Sequence, residues 1–186
     1  MTMSLEQDNY SWFALQTKSR YERFVETQLR GKGYELFLPV YNCRRRWSDR
    51  VKELELPLFP GYLFCRFNPH DRFPILVTPG VIQVVGANKM PIPVEDAEIA
   101  ALQAAVHSGL STQPWPFLQA GQRVRIECGP LSGVEGILVQ FKGRHRLALS
   151  VTLLNRSVAV EVDGAWIRPL CLTSPAPSLQ TCELRY

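Results

Sequence analysis

The 186-residue sequence lacks the features that mark a secreted, membrane-spanning or metal-binding protein. No apolar run approaches the length of a membrane span, and the polar start contains no signal-peptide core. The cysteines are odd in number, widely spaced and never arranged as Cys-x-x-Cys, which fits reduced thiols better than disulfides or zinc. We therefore expect a cytoplasmic protein with no membrane partner, no metal and no cofactor. The cysteines are Cys43, Cys65, Cys128, Cys171 and Cys182.

Catalytic motifs are also missing. The sequence contains no Gly-x-Ser-x-Gly, no phosphate-binding glycine-rich loop and no His-Glu-x-x-His. Cys43 precedes three arginines and is a candidate nucleophile, but no base with its orienting partner accompanies it. Asp49, Glu53 and Glu55 are spaced as surface charges of a strand and need no acid–base role. The sequence predicts no catalytic residue, and an enzyme is the least favoured class.

The composition favours a folded, mildly basic protein. Hydrophobic residues make up 46% and charged residues 20%, with a net charge of +4 and a pI of about 8.9. The charge is uneven: residues 18–52 contain ten basic and four acidic side chains, whereas residues 53–107 contain three and six. One end of the first half is thus a candidate electropositive surface for nucleic acid. The alternative, that most of these charges are merely solvated, remains open.

The first half alternates between strand and helix patterns. Residues 12–16 form a short apolar run typical of a buried strand. Ser19 and Glu22 match a capping box for a helix that Gly31 and Gly33 end. Strand patterns follow at 34–41, 54–58 and 62–67, with a hairpin tip at 44–50, and a last helix begins near Pro93. This order predicts an α/β sandwich in which helices flank an antiparallel sheet.

The second half has only strand patterns. Val124 and Ile126 alternate with charged residues, Gly129-Pro130 interrupts the run, and a second alternating run begins at Ile137. Gly133 and Gly136 mark positions where a side chain would obstruct a turn or a backbone approach. We expect an α+β protein with an N-terminal domain at 9–108, a Pro/Ser/Gly-rich linker at 109–118, a small β-barrel at 119–172 and a tail at 173–186.

Segments in both halves resemble the NusG family of transcription factors. Residues 121–138 resemble the KOW motif, which opens an SH3-like β-barrel. Four further segments resemble the N-terminal domain of NusG proteins: 12–18, 20–22, 58–64 and 78–81. All five occur in the family's order between Tyr10 and Leu170. The resemblance implies a monomeric transcription elongation, termination or antitermination factor.

The resemblance also implies a polymerase-binding face. NusG proteins lay an apolar sheet face on the clamp helices of RNA polymerase, and the matching positions here are Ala14, Gln16, Tyr62 and Phe64. Alternation places Tyr62 and Phe64 on one strand face and Leu63 and Cys65 on the other. The second pair are the better core candidates, although Tyr62 and Phe64 as core residues remain an alternative. Contact with the opposite polymerase lobe is expected from Arg72 and Phe73.

Two more surfaces are implied. Contact with upstream or non-template DNA is expected from the basic residues near the first helix start and the hairpin tip, with Trp47 stacking on a base: Lys18, Arg20, Arg23, Arg44, Arg45 and Arg46. Leu154 and Arg156 match the KOW turn that contacts Rho or the ribosome. Many general members have an aromatic residue where Leu154 stands. This departure and the arginine-rich hairpin favour a specialised antiterminator over a general factor.

A KOW-containing ribosomal or RNA-binding protein is the alternative from another class. It accounts for a basic barrel but leaves the first half unexplained. The barrel residues that favour it are Arg123, Arg125, Lys142, Arg144 and Arg146.

Overall fold

The computed structural model describes residues 10–47, 50–88, 90–115, 122–141 and 144–170. These residues form three α-helices and fifteen β-strands. The helices are α1 (Glu22–Gly31), α2 (Phe73–Leu76) and α3 (Asp96–His107). The strands before α3 are β1 (Ser11–Thr17), β2 (Glu35–Phe37), β3 (Val40–Trp47), β4 (Arg50–Pro57), β5 (Tyr62–Phe67), β6 (Val81–Val84), β7 (Gly86–Ala87), β8 (Met90–Pro91) and β9 (Pro93–Val94). Those after it are β10 (Thr112–Trp115), β11 (Gln122–Ile126), β12 (Glu135–Phe141), β13 (Arg144–Val151), β14 (Arg156–Glu161) and β15 (Ile167–Pro169).

The N-terminal domain is built on an antiparallel sheet with the order β2-β5-β1-β6, and β9 also pairs with β1. β1 and β5 form its centre and are in register from Ser11 opposite Phe67 to Gln16 opposite Tyr62. Both central strands are rich in aromatic and branched residues, which suit a sheet buried on two faces. The expected antiparallel sheet flanked by helices is therefore confirmed.

Helices cover both faces of this sheet. On one face, Leu15 and Leu63 pack with Val25 and Leu29 of α1 and with Ile75 of α2. The other face, with Trp12, Ala14 and Phe64, packs against the stripe of α3 formed by Ile99, Leu102 and Ala105. These apolar side chains recur at the helical spacing that puts them on one side of α3. Both faces of the β1–β5 pair are thus part of a core.

The expected capping box at the start of α1 is wrong. The helix begins at Glu22, Tyr21 is the N-cap residue without a side-chain hydrogen bond, and Arg20 has a φ of 67°. This left-handed residue turns the chain, so Ser19 lies too far upstream to cap the helix. The Glu22 carboxylate is buried and accepts a hydrogen bond of 2.7 Å from the Gly61 amide. It joins the first turn of α1 to the β4–β5 turn instead.

The apolar stretch at 34–41 forms two strands rather than one. β2 ends at Phe37 and joins the main sheet beside β5, whereas β3 begins at Val40 and pairs with β4 in a separate hairpin. Pro39 stands between them and is buried, not near an exposed end. The missing amide hydrogen of Pro39 explains the break, because proline cannot continue a hydrogen-bonded ladder. The predicted hairpin at 44–50 is confirmed in its two strands.

Six strands form the C-terminal sheet, in the order β10-β14-β13-β12-β11-β15. Its tight turn uses both glycines that the sequence singled out. Gly133 has a φ of 86°, and a Cβ on Gly136 would stand 2.7 Å from the carbonyl oxygen of Ala148 on β13. Any side chain at Gly136 would therefore push β12 away from β13.

The first strand of this sheet lies within the predicted linker. β10 pairs antiparallel with β14, from Thr112 opposite Val160 to Trp115 opposite Ser157. Pro114 is tolerated because β10 is an edge strand. The connection between α3 and the barrel sheet is consequently shorter than the 109–118 linker that composition predicted.

Candidate functional site

The four residues predicted to bind polymerase lie on one face of the sheet. Ala14 is opposite Phe64 and Gln16 is opposite Tyr62 in the β1–β5 register. Residues directly opposite in an antiparallel pair project to the same side, so the four side chains form one patch. We call this patch the β1–β5 face.

Half of the β1–β5 face is core. Ala14 and Phe64 are fully buried, and the Phe64 ring packs between Phe37 and Phe59, with centroid distances of 6.1 and 5.8 Å. Gln16 and Tyr62 are only half-buried. The expectation that Leu63 and Cys65 form the core while Phe64 stays exposed is therefore wrong for Phe64. Sequence alternation could not reveal this, because it does not tell which side of the sheet α3 covers.

The barrel packs over this side of the N-terminal domain. Apolar residues from both domains form one continuous cluster that joins Phe64 and Leu102 to Ile126 and Val158. A groove of about 740 Å³ runs between α3 and strands β12 and β13, lined by small residues such as Ala97 and Ala148. The two halves are thus packed together, although the sequence predicted separate domains.

Polar contacts fix the orientation of the barrel. The Glu98 carboxylate on α3 accepts hydrogen bonds from the amide and the hydroxyl of Thr152, at 3.2 and 2.7 Å. The Arg156 guanidinium lies 5.2 Å from the centroid of the Tyr62 ring. A cation over an aromatic face is attracted by the ring quadrupole and hides that face from other ligands.

The predicted partner turn of the barrel is therefore at the domain interface. Leu154 is half-buried and packs against the shared cluster, and Arg156 covers Tyr62. Asn155, between them, has a φ of 49°, a left-handed conformation that asparagine tolerates better than most residues. In this arrangement the predicted polymerase contact and the predicted KOW partner contact cover each other.

The predicted basic surface is only partly assembled in the described residues. Lys18 and Arg20 are exposed in the turn before α1, and Arg23 on α1 forms an ion pair with Glu55 of β4. This ion pair brings the base of the β3–β4 hairpin to the side of α1. Arg44, Arg45, Arg46 and Trp47 occupy the distal end of β3, but their side chains lie outside the described part of the structure.

The loop predicted to reach the opposite polymerase lobe presents apolar side chains. Arg72 is the half-buried N-cap residue of α2, and Phe73 is 73% exposed. Leu76 and Val77, which sequence reasoning did not single out, are exposed beside it. The signal that would have found them is the apolar run 73–77, whose length exceeds what a four-residue helix can bury.

Arginines on the barrel surface are paired within the barrel. Arg144 contacts Glu161 at 2.6 Å, Arg125 donates to Glu135 at 2.9 Å through its Nε, and Arg168 pairs with Glu127. The Arg146 guanidinium lies 5.4 Å from the Trp115 ring centroid. Lys142 lies outside the described residues. Most of the positive charge that favoured an RNA-binding barrel is thus balanced by neighbouring carboxylates.

No chemistry beyond binding is built into the part of the chain that the structure describes. It contains no cluster of three side chains suited to a metal ion, and none of its helices is long and apolar enough to cross a membrane. Burial raises the pKa of the Cys65 thiol to about 12, so at neutral pH this cysteine is protonated and unreactive. Cys43 is half-buried.

Comparison with known proteins agrees with this architecture. The sequence model of the family described as Transcription termination factor nusG matches residues 10–103. A transcription termination/antitermination protein NusG of Lactococcus lactis is 32% identical over 167 residues, covering 82% of this chain and 89% of the relative. Its Helicobacter pylori namesake is 25% identical over 164 residues, covering 81% and 93%.

A solved structure of Thermotoga maritima NusG has the same fold. It aligns with a TM-score of 0.52 at 22% identity and covers 85% of this chain and 96% of its own. The relatives are transcription factors rather than enzymes. The family match over half the chain and the Lactococcus relative together place this protein: it belongs to the NusG family of transcription termination/antitermination proteins.

Proposed function

We propose that this protein is a transcription elongation factor whose β1–β5 face binds the clamp helices of RNA polymerase. The observation that carries the proposal is the register that sets Gln16 opposite Tyr62 on one sheet face. Both side chains are half-buried at the edge of an apolar patch. A partly exposed tyrosine beside buried aromatic rings is the kind of residue on which binding energy concentrates.

Clamp binding requires the barrel to leave the β1–β5 face. Arg156 lies over Tyr62, and α3 is tied to the barrel through Glu98, so a helix pair cannot reach Tyr62 in this arrangement. The protein therefore exchanges between a docked form and an open form, and only the open form binds polymerase. The apparent affinity falls by the fraction of molecules that are open.

Opening also frees the barrel's own partner turn. Leu154 and Arg156 contact the N-terminal domain in the docked form, so recruitment of Rho or of the ribosome by this turn is restricted to the open form. A factor that is closed until it reaches its target suits a specialised antiterminator better than a general factor. Mapping the protein along transcribed genes tests this: occupancy confined to a few operons is expected, and uniform occupancy contradicts it.

DNA contact is the second part of the proposal. Lys18 and Arg20 are exposed beside α1, and the Arg23–Glu55 ion pair sets the hairpin next to them. Phosphate contacts from this surface hold upstream or non-template DNA near the polymerase. The α2 loop, with Phe73 exposed, supplies the contact with the opposite lobe.

An RNA-binding or ribosomal role for the barrel is less well supported. The barrel arginines are paired with Glu127, Glu135 and Glu161, and the barrel rests on a complete second domain. A pull-down separates the two roles: polymerase without ribosomal RNA supports the proposal, and ribosomal RNA without polymerase contradicts it.

Polymerase binding is tested most sharply at Tyr62 in an Arg156→Ala background, where the cation over its ring has already been removed. We expect Tyr62→Ala to weaken polymerase binding about 30-fold, the effect typical of an anchor residue worth ~2 kcal/mol. The matched control is Tyr34→Ala, which truncates a half-buried tyrosine packed on the opposite face. Equal weakening in both variants would remove the β1–β5 face from the interface.

A further inference from the structure

Two aromatic side chains at the start of α1 are exposed together. Tyr21 is 46% and Phe24 is 45% exposed, and their rings meet edge to face with centroids 5.9 Å apart. They stand three residues apart at the helix start, so they share one side of it. Neither is part of the two apolar clusters of the core.

The Tyr21 ring is held in place from below. A Cβ on Gly80 would stand 3.1 Å from Cδ1 of Tyr21 and 2.9 Å from Cγ2 of Val25, so this glycine makes room for the ring. The Lys18 amide donates to the Gly80 carbonyl at 2.9 Å, and the Tyr21 amide donates to the Lys18 carbonyl at 3.0 Å. The turn and the ring are thus fixed before any ligand arrives, which lowers the entropic cost of binding.

Positive charge borders the aromatic pair. Lys18 and Arg20 are exposed and have no partner among the described residues, and Arg23 is exposed although paired with Glu55. The nearest carboxylate in sequence, Glu22, is buried and turned toward the Gly61 amide. Exposed rings flanked by cations match a ligand that has flat apolar faces on an anionic backbone.

We propose that Tyr21 and Phe24 form a stacking site for unpaired bases of single-stranded DNA, with Lys18 and Arg20 on the adjoining phosphates. Duplex DNA does not fit this chemistry, because its base faces are covered by their neighbours in the stack. The inference deepens the proposed DNA contact, since it identifies unpaired bases rather than phosphates alone as what this surface binds. It does not depend on the β1–β5 face.

Fluorescence anisotropy with the full chain and a labelled 12-nucleotide single strand tests the proposal without polymerase. The test variant is Tyr21→Leu with Phe24→Leu, which keeps apolar bulk and removes both rings. Tyr21→Phe with Phe24→Tyr keeps two rings, and Phe73→Leu removes an exposed ring from α2. We expect about tenfold or greater weakening for the first variant only, with an unchanged dependence on salt, because stacking releases no counterions.

The wild-type protein provides a second measurement that does not depend on how the variants fold. An oligonucleotide of the same length with abasic sites should bind about tenfold more weakly than the intact one, and the double-leucine variant should not distinguish the two. Equal wild-type affinity for intact and abasic strands would overturn the proposal. So would a double-leucine variant that is folded and binds as wild type does. Failure of polymerase binding alone would leave these results untouched.

Discussion

Loosening the docked barrel should strengthen polymerase binding. Glu98→Ala with Arg156→Ala removes the two hydrogen bonds to Thr152 and the cation over Tyr62 while leaving the apolar cluster intact. A hydrogen bond to a charged group contributes about 1.5 kcal/mol at the low end expected for an exposed pair, and an exposed cation–π contact about 0.5 kcal/mol. The docked form is therefore destabilised by ~2 kcal/mol relative to the open form.

This destabilisation corresponds to a roughly 30-fold larger ratio of open to docked molecules. If the docked form dominates, the apparent Kd for RNA polymerase should fall by up to about the same factor. A titration of labelled protein with core polymerase measures it. Arg168→Ala is the matched control, since it removes an exposed arginine that pairs with Glu127 within the barrel. Unchanged or weaker binding in the double variant would refute the claim that docking limits access to the β1–β5 face.

Three further outcomes are expected. Gly136→Ala should destabilise the protein by about 1–3 kcal/mol in denaturant titrations, because its Cβ would meet a backbone carbonyl at 2.7 Å, whereas Gly31→Ala, with open space around it, should not; equal stabilities would contradict the close β12–β13 packing. The Cys65 thiol should resist a thiol reagent at neutral pH until unfolding, because burial raises its pKa to about 12 and leaves about one thiolate in 10⁴ or fewer; rapid labelling in the folded state would show that the N-terminal core opens locally. Neutralising Lys18 and Arg20 should reduce the slope of log affinity for single-stranded DNA against log salt by about 0.7 for each phosphate that is no longer neutralised, and an unchanged slope would leave both as solvated charges.

The buried status of Phe64 changes how the β1–β5 face can be tested. Replacing it with alanine would remove a fully buried ring packed between Phe37 and Phe59. Such truncations cost about 3–5 kcal/mol of stability, so weaker binding in that variant would report unfolding as readily as a missing interface side chain. Tyr62 and Gln16, which are half-buried, are the informative positions.

Sequence patterns predicted the local structure where period and turn chemistry agree. The alternation around Val124, the glycines at 133 and 136 and the run 62–67 each produced the expected strand or turn. They misplaced the start of α1, because Ser19 and Glu22 fit a capping box while the left-handed Arg20 delays the helix. A φ of that sign at a non-glycine residue has no signature in composition or spacing.

The relation between the two halves was beyond sequence reasoning. Proline, serine and glycine at 109–118 favour a linker, yet Thr112–Trp115 completes a sheet because β14 offers an edge. The contact of Arg156 with Tyr62 joins residues 94 positions apart, and neither residue type indicates the other. Sequence patterns placed both residues in candidate binding surfaces but could not show that these surfaces meet.

A photo-cross-linking amino acid at Gln16 tests the central claim most directly. Gln16 faces the same side as Tyr62, is half-buried, and bonds only with the Gln83 side chain at 2.9 Å among the side-chain contacts of the described residues. In the Glu98→Ala, Arg156→Ala background, irradiation with RNA polymerase should yield a cross-link that maps to the clamp helices. A variant that still binds polymerase but cross-links elsewhere, or not at all, would contradict binding through the β1–β5 face.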